Sequence, residues 1–240
     1  MNDHVERLAQ ERLNAAEREL ARRPAVTLGS TWRAFWRYPS PWMISAFIVG
    51  ALTGRLVVAQ WALSDLWAPL VFVALFPFIE WTIHVFILHW RPRRIAGAYV
   101  DTLLARDHRR HHAEPRDVPL VFVPWRSLIW VILIVGCALP IAVGLLVGAS
   151  WGEILSYMLT EALALGIYEW THYLIHSDYR PKSRAYKVIW RNHRLHHYKN
   201  EHYWFSITTS GTSDRVLGTH PDPAKVPTSG TAKNLHGEVA

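Results

Sequence analysis

The chain has 240 residues, half of them apolar, with a formal net charge of +7 and a single cysteine. The apolar residues gather in blocks instead of spreading at helix or strand period, which argues against an ordinary soluble domain. One cysteine excludes an intrachain disulfide, and basic residues segregated between apolar blocks point to membrane sidedness, not to nucleic-acid binding.

Residues 1–24 begin with acids and arginines and have no positively charged lead into an apolar run, so no secretory signal peptide is expected. Val5, Leu8, Leu13, Ala16 and Leu20 recur at near-helical spacing, and Glu19 can pair with Arg22 or Arg23. Segment 1–40 is therefore expected to be a cytosolic, solvated or amphipathic N-terminal piece.

Four stretches are long and apolar enough to cross a bilayer, which takes roughly 20 helical residues: about 42–62, 67–89, 127–149 and 152–175. Trp42, Trp61, Trp67, Trp90, Trp125, Trp130 and Trp151 fall near their ends, where amphipathic rings favour the headgroup layer. The short links SDLW and SW turn each consecutive pair into a helical hairpin. Of the 26 Lys and Arg, seven precede the first stretch, eight lie between the second and third, and ten follow the fourth. The hairpin tips carry none, so both termini and the 90–126 loop are expected in the cytoplasm. Arg55 alone lies within a span, where a mid-membrane position would cost roughly 2.5–3.5 kcal/mol; it should snorkel or face protein. Domain boundaries follow: the N-terminal segment 1–40, a membrane domain 41–219, and a flexible tail 220–240 rich in Pro, Gly, Ser and Thr.

Ten of the fourteen histidines are patterned. His84 and His89 (H-x4-H) close the second stretch, and His108, His111 and His112 (H-x-x-H-H) follow it. His172 and His176 (H-x3-H) close the fourth, and His193, His196 and His197 write H-x-x-H-H again. Each helix-end pair follows the same tripeptide, in EWTIHVFILH and EWTHYLIH, so the chain reads as two copies of one hairpin-plus-cluster unit. His4, His220 and His236 share no such pattern and read as ordinary hydrogen-bonded or solvent-facing side chains.

At about 100° per residue, positions four apart lie some 40° from one another, so His108 with His112, His172 with His176, and His193 with His197 each share a helix face. His111 and His196 lie about 60° to the other side, completing a three-nitrogen surface in each cluster. His84 and His89 would be about 140° apart on an ideal helix; the second helix should loosen near His89, or the two should serve different metals.

Neutral imidazoles clustered beside a membrane have no packing purpose, and protonated ones would repel one another. A divalent metal supplies the missing counterpart, since imidazole suits Fe, Zn, Cu and Ni. Two closed tetrahedral zinc sites would need eight ligands, whereas ten nitrogens shared by two roughly octahedral ions leave one position on each for oxygen or water. No catalytic group beyond the metal ligands stands out. Glu80 lies four residues before His84 and Glu169 three before His172. Each carboxylate can share a face with that histidine and accept its second ring N–H, or else make a hydrogen bond between helices. His202 is a candidate extra ligand or support. Glu161, deeper in the fourth stretch, has no histidine at that spacing. The fold expected is all-α and integral to the membrane: four transmembrane helices as two hairpins, with a cytosolic histidine-rich cap holding a dimetal site.

These residues resemble the fatty acid hydroxylase/sterol desaturase superfamily, and the order H-x4-H, H-x-x-H-H, H-x3-H, H-x-x-H-H looks most like its membrane fatty acid 2-hydroxylases. The similarity extends to HHAEPRDVPLVFVPW (111–125) and HHYKNEHYWFSITTSGTSDRVLGT (196–219), covering roughly residues 67–219. The resemblance implies a non-haem centre of two Fe ions, for which Zn can substitute, held by the ten matching histidines. It further implies O2 as co-substrate and hydroxylation of a fatty acyl or related lipid, with a sterol- or carotenoid-type desaturase or hydroxylase as the alternative. A membrane metal transporter or sensor is the alternative of another class, although transport favours ligands near the bilayer midplane and these lie at helix ends. Three positions depart from the family pattern: Trp204 and Ser206 replace glycines, and Ser213 replaces a tryptophan before Asp214. Nothing in the chain resembles a fused cytochrome b5 domain, so electrons would come from a separate donor, a cytochrome b5-like protein, ferredoxin or reductase, docking on the basic cytosolic face.

Overall fold

The computed structural model describes residues 26–237; the helix expected over 1–24 lies outside the described residues. Helix dominates. A short amphipathic helix, α1 (Leu28–Phe35), is capped by Thr27, whose hydroxyl accepts from Ser30 N–H at 3.1 Å. Pro39, whose fixed φ suits a first turn, opens α2 (Pro39–Val58). A 3₁₀ turn (Leu63–Leu66) leads into α3 (Trp67–Ile83), which runs on as a π-helical turn over His84–Leu88. A two-stranded hairpin, β1 (Arg93–Ile95) and β2 (Ala98–Val100), pairs Arg94 with Tyr99.

Beyond it come α4 (Leu103–Ala113), α5 (Val118–Val121) and α6 (Trp125–Trp130). A π-helical stretch (Val131–Ala138) joins α6 to α7 (Leu139–Leu146). The 26-residue α8 (Trp151–His176) follows, then α9 (Arg184–Tyr198) and α10 (Thr212–Val216).

Among the described residues, three helical stretches are long and apolar enough to cross a membrane: Pro39–Val58, Leu63–Leu88 and Val118–Leu146. The fourth expected span corresponds to α8, which carries Glu153, Glu161, Glu169, His172 and His176 and is correspondingly less apolar. Its start is fixed by a capping box in which Glu153 accepts from Ser150 N–H at 2.7 Å and Ser150 accepts from Glu153 N–H at 3.2 Å. The other spans gather around it. Phe47 and Ala51 of α2 pack on Ile154, Met158 and Ala162 of α8. The third span comes close because it presents glycine: a Cβ on Gly144 would meet Ile154 at 2.5 Å, and one on Gly136 would meet Phe47 at 2.8 Å.

Arg55 faces protein. Its guanidinium pairs with Asp65, donates to Gln60 O at 2.8 Å and Ser156 Oγ at 2.9 Å, and lies 3.6 Å from the Trp61 ring centre. A second cluster, Phe35, Val121, Phe122 and Tyr173, ties α1 and the segment after α4 to the end of α8.

The composition of residues 220–240 predicts a loosely held tail; its described residues, 220–237, pack against the rest of the chain. Val226, Ala232 and Leu235 are buried, and the turn Leu235–Gly237 packs on α4. A few apolar side chains and backbone hydrogen bonds, such as Ser229 N–H to Lys199 O at 2.7 Å, fix a segment with little regular structure of its own.

Candidate metal centre

Four helices end at one place. The π-turn closing α3 brings His84 and His89, α4 brings His108, His111 and His112, the end of α8 brings His172 and His176, and α9 brings His193, His196 and His197. Threonine 102 and Ser183 start α4 and α9 by accepting from Ala105 and Tyr186 N–H, which sets both clusters in the last turns of their helices. All four helices therefore direct the negative ends of their dipoles at the cluster, an arrangement that favours cations.

The ten imidazoles divide into two groups of five. His84, His89, His108, His112 and His196 form one, and His111, His172, His176, His193 and His197 the other; within each, one nitrogen per ring lies within 4.8 Å of all the rest. Each group takes the two histidines of one helix end and the first and last of one H-x-x-H-H. The middle histidine of each cluster, His111 or His196, serves the opposite group. The three-nitrogen surface expected of a single cluster is thus split, because the last turns of α4 and α9 meet, with His111–His197 and His112–His196 ring centres 4.6 and 4.9 Å apart, and positions 60° off the shared face point at the neighbouring group.

The H-x4-H spacing is resolved by the loosened helix. His89 N–H bonds to His84 O at 3.0 Å, five residues back, and a turn closed in this way returns residues five apart to one face.

Backbone carbonyls orient the rings. The Nδ1 atoms of His84, His112, His172, His176 and His196 lie 2.6, 3.0, 2.8, 2.9 and 2.8 Å from the carbonyl oxygens of Phe205, Ala232, Val121, Pro115 and Tyr203. Each of these rings donates from Nδ1, which leaves the Nε2 lone pair directed inward. The Nε2 atoms of His84, His108, His112 and His172 are buried without any hydrogen-bond partner. His176 and His193 place Nε2 atoms 3.0 Å apart, His193 and His197 also 3.0 Å, and His89 and His196 3.2 Å. Nitrogens about 2.1 Å from one ion and at right angles lie about 3.0 Å apart, so these separations fit imidazoles sharing a metal. Burial pushes His108, His111, His193, His196 and His197 well below the ordinary imidazole range, and His112 down to about 3. The rings are therefore neutral at ordinary pH, the form a metal requires. An all-imidazole donor set suits iron and zinc alike.

Glu80 and Glu169 do not touch the histidines. Glu80 accepts from Ile207 N–H at 3.1 Å, Thr208 N–H at 2.9 Å and Thr208 Oγ at 2.8 Å. Glu169 accepts from Ser40 Oγ and from Val123 N–H at 3.1 Å. Of the two roles open to these carboxylates, both make hydrogen bonds to a crossing segment: a backbone carbonyl of that segment reaches the ring, and the carboxylate holds the same segment two residues further on. His202 joins neither group; its ring is largely exposed, 3.6 Å from Glu201. His236 comes closer than its sequence context suggests, with Nε2 at 3.1 Å from His89 O. The carbonyl acceptors carried no sequence signal at all, since every residue has one.

Two voids adjoin the groups. One, of about 470 Å³, lies beside His89 and is lined by Arg91, Glu201, His202, Phe205 and His236 among others. The other, of about 30 Å³, is bounded by His108 of one group and His172 of the other, by Tyr168, and by apolar side chains including Leu88, Leu104 and Phe122. Tyr168 stacks on His172 with ring centres 5.8 Å apart.

Residues 69–219 match the sequence profile of the family described as fatty acid hydroxylase. No curated protein matches the chain by sequence. A solved structure described as full-length Scs7p, with only the hydroxylase domain visible, is similar to it with a TM-score of 0.56 and 21% identity, over 83% of this chain and 68% of that one. That likeness is one of fold.

Proposed function

The chain belongs to the fatty acid hydroxylase family, and we propose that it is an integral-membrane, O2-dependent hydroxylase of a C–H bond in a fatty acyl or related lipid. The observation that carries this reading is the division of ten neutral imidazoles into two groups of five, one ligand short of octahedral in each case. His84, His89, His108, His112 and His196 would hold one iron, and His111, His172, His176, His193 and His197 the other. A saturated C–H bond gives acid or base chemistry nothing to act on, and two bound irons supply the redox chemistry with O2 that it needs.

The remaining steps belong to the protein. Carbonyls of Phe205, Val121, Pro115, Tyr203 and Ala232 fix the tautomer of five rings, so that ligand geometry is set before metal arrives. Leu88, Leu104 and Phe122, with Asp107, border the small void between His108 and His172, from which a substrate carbon would face both groups. The larger void beside His89 has a mostly apolar wall, on which Arg91, Glu201, His202 and His236 are the polar groups nearest that histidine group.

With α8 as a fourth span, the two hairpins return the chain to one side. The distribution of Lys and Arg supports the cytoplasm as the side of both termini and of the centre. Exposed Arg93 and Arg94 on the hairpin belong to the basic surface on which a separate electron donor would dock.

The test is lipid mass spectrometry of cells expressing the wild type or His196→Ala. One lipid class should gain the mass of one oxygen with the wild type alone. Identical profiles, with expression verified and a reducing partner supplied, would remove the proposal.

A further inference from the structure

Glu161 is the polar group that the metal centre leaves unused. It lies in α8 eleven residues before His172, hence about 16 Å from it along the helix axis. Residues 157, 161, 164, 168 and 172 recur at helical spacing on one face. That face has a wall on each side. Tyr157 meets Phe72 of α3 edge to face, ring centres 5.5 Å apart. Beside that face, Cys137 of the third span packs on the cluster that contains Ile154, Met158 and Ala162 of α8. α3 and the third span both pack on α8 and make no substantial contact with each other. The face of α8 between them is flanked on both sides as the floor of a groove would be, and at its end Tyr168 and His172 line the small void that His108 also bounds.

Glu161 does not fit an ordinary groove floor. Its Oε2 is buried with no hydrogen-bond partner, and an ionisable side chain at membrane depth is retained when it has something to bind. Packing does not ask for it. In the first half of the chain the position that stands as far before Glu80 as Glu161 stands before Glu169 is Phe72, a buried apolar residue.

We propose that this groove takes the chain of the lipid substrate, and that Glu161, with Tyr157 beside it, recognises a hydroxyl or carbonyl oxygen on that chain about 16 Å from the carbon that reacts. The proposal rests on the lipid-hydroxylase reading and narrows it to lipids with an oxygen substituent along the chain. A carboxyl accepts from a hydroxyl and, in its acid form, donates to a carbonyl. A bare saturated chain would leave Glu161 as unpaired as it stands.

The experiment measures retention, not turnover. The full chain, purified without added metal or reductant, is placed in nanodiscs with equal amounts of octadecanoyl phosphatidylcholines that are plain or hydroxylated at successive chain positions. Bound lipid is then read by native mass spectrometry. The wild type should retain a distal-hydroxyl species about 5-fold over the plain one, the effect of a single hydrogen bond. Glu161→Leu should abolish the preference, while Glu161→Gln, which keeps an acceptor and a donor, should preserve most of it. Tyr157→Phe, with a smaller loss, serves as the second variant should Glu161→Leu fail to fold. Equal retention of all species by the wild type overturns the proposal. So does an altered oligomeric state of Glu161→Leu with unchanged lipid preference, which would assign the carboxyl to a second copy of the chain. Because no oxidation is needed, a negative lipid profile in cells would not produce either result.

Discussion

Glu80 and His84, one turn apart at the end of the second span, hold the same extended segment two residues apart. His84 Nδ1 lies 2.6 Å from Phe205 O, and Glu80 accepts from Ile207 N–H at 3.1 Å. Glu169 and His172 do the same to Val123 and Val121. The carboxylate thus positions the carbonyl that orients the ring. Glu80→Ala would strand the buried N–H groups of Ile207 and Thr208, at about 1–3 kcal/mol each. Thermal unfolding in detergent should fall by several degrees, and bound metal per chain should drop. Glu80→Gln, which keeps an acceptor oxygen, should lose far less. Equal losses for Ala and Gln would show that the charge, not the acceptor, matters.

How much of this was legible depends on what the helical period determines. Spacing alone places His108 with His112 and His193 with His197, and the awkward H-x4-H of His84 and His89 foretells a loosened turn. The exchange of His111 and His196 between groups depends on how the last turns of α4 and α9 meet, which no local period encodes. The acceptors of the ring N–H groups are main-chain atoms, identical at every residue. Arg55 could be expected to face protein, but its partner Asp65 sits in a hairpin link that hydropathy reads only as a tip.

Among the described residues, the hydrogen bonds the tail makes at the histidines themselves fall in one group. Ala232 O accepts from His112 and His89 O faces His236, and both histidines belong to the same five. Deleting residues 226–240 should therefore lower bound metal from two ions toward one per chain, read by elemental analysis of the purified protein. Loss of both ions together, or of neither, would contradict the asymmetry.

Trp204 occupies a backbone position with φ of 57°, the left-handed region that suits the glycine usual in this family, and its side chain is fully buried. Ser206 and Ser213, the other two departures, meet each other at 3.0 Å between hydroxyls. Trp204→Gly would relieve about 1–2 kcal/mol of backbone strain and forfeit about 3–5 kcal/mol of buried aromatic packing. The second effect is larger, so the variant should unfold at lower temperature. A gain in stability would mean that the indole is poorly packed.

Acid should destabilise the metal-free protein. His112 is held at about 3 when folded, against 6.5 for an unperturbed imidazole, and its buried neighbours are lowered in the same direction. Above 6.5 neither state is protonated and stability is level. As pH falls below 6.5, the unfolded chain takes up protons that the folded cluster refuses, so stability declines continuously toward about 3. Melting temperatures of the metal-free protein should therefore drop between neutral and mildly acidic buffer. A flat profile over that range would show that the rings are solvated or already paired in another way.

Arg55 and Asp65 form a buried ion pair that joins the end of α2 to the turn before α3, and Arg55 also reaches Gln60 O and Ser156. Removing one partner leaves the other charge buried without compensation, at about 3–5 kcal/mol, whereas replacing both with apolar or neutral groups of similar volume is often close to neutral. Arg55→Met should therefore be strongly destabilising, because Asp65 keeps only Ala62 N–H at 3.0 Å. Arg55→Met with Asp65→Asn should recover most of the loss, since the amide still accepts from Ala62. Thermal unfolding of the two single variants and the double variant gives the coupling directly. If the double variant is as unstable as the sum of the singles, the guanidinium acts through Ser156 and Gln60, and the ion pair contributes little to closing the hairpin.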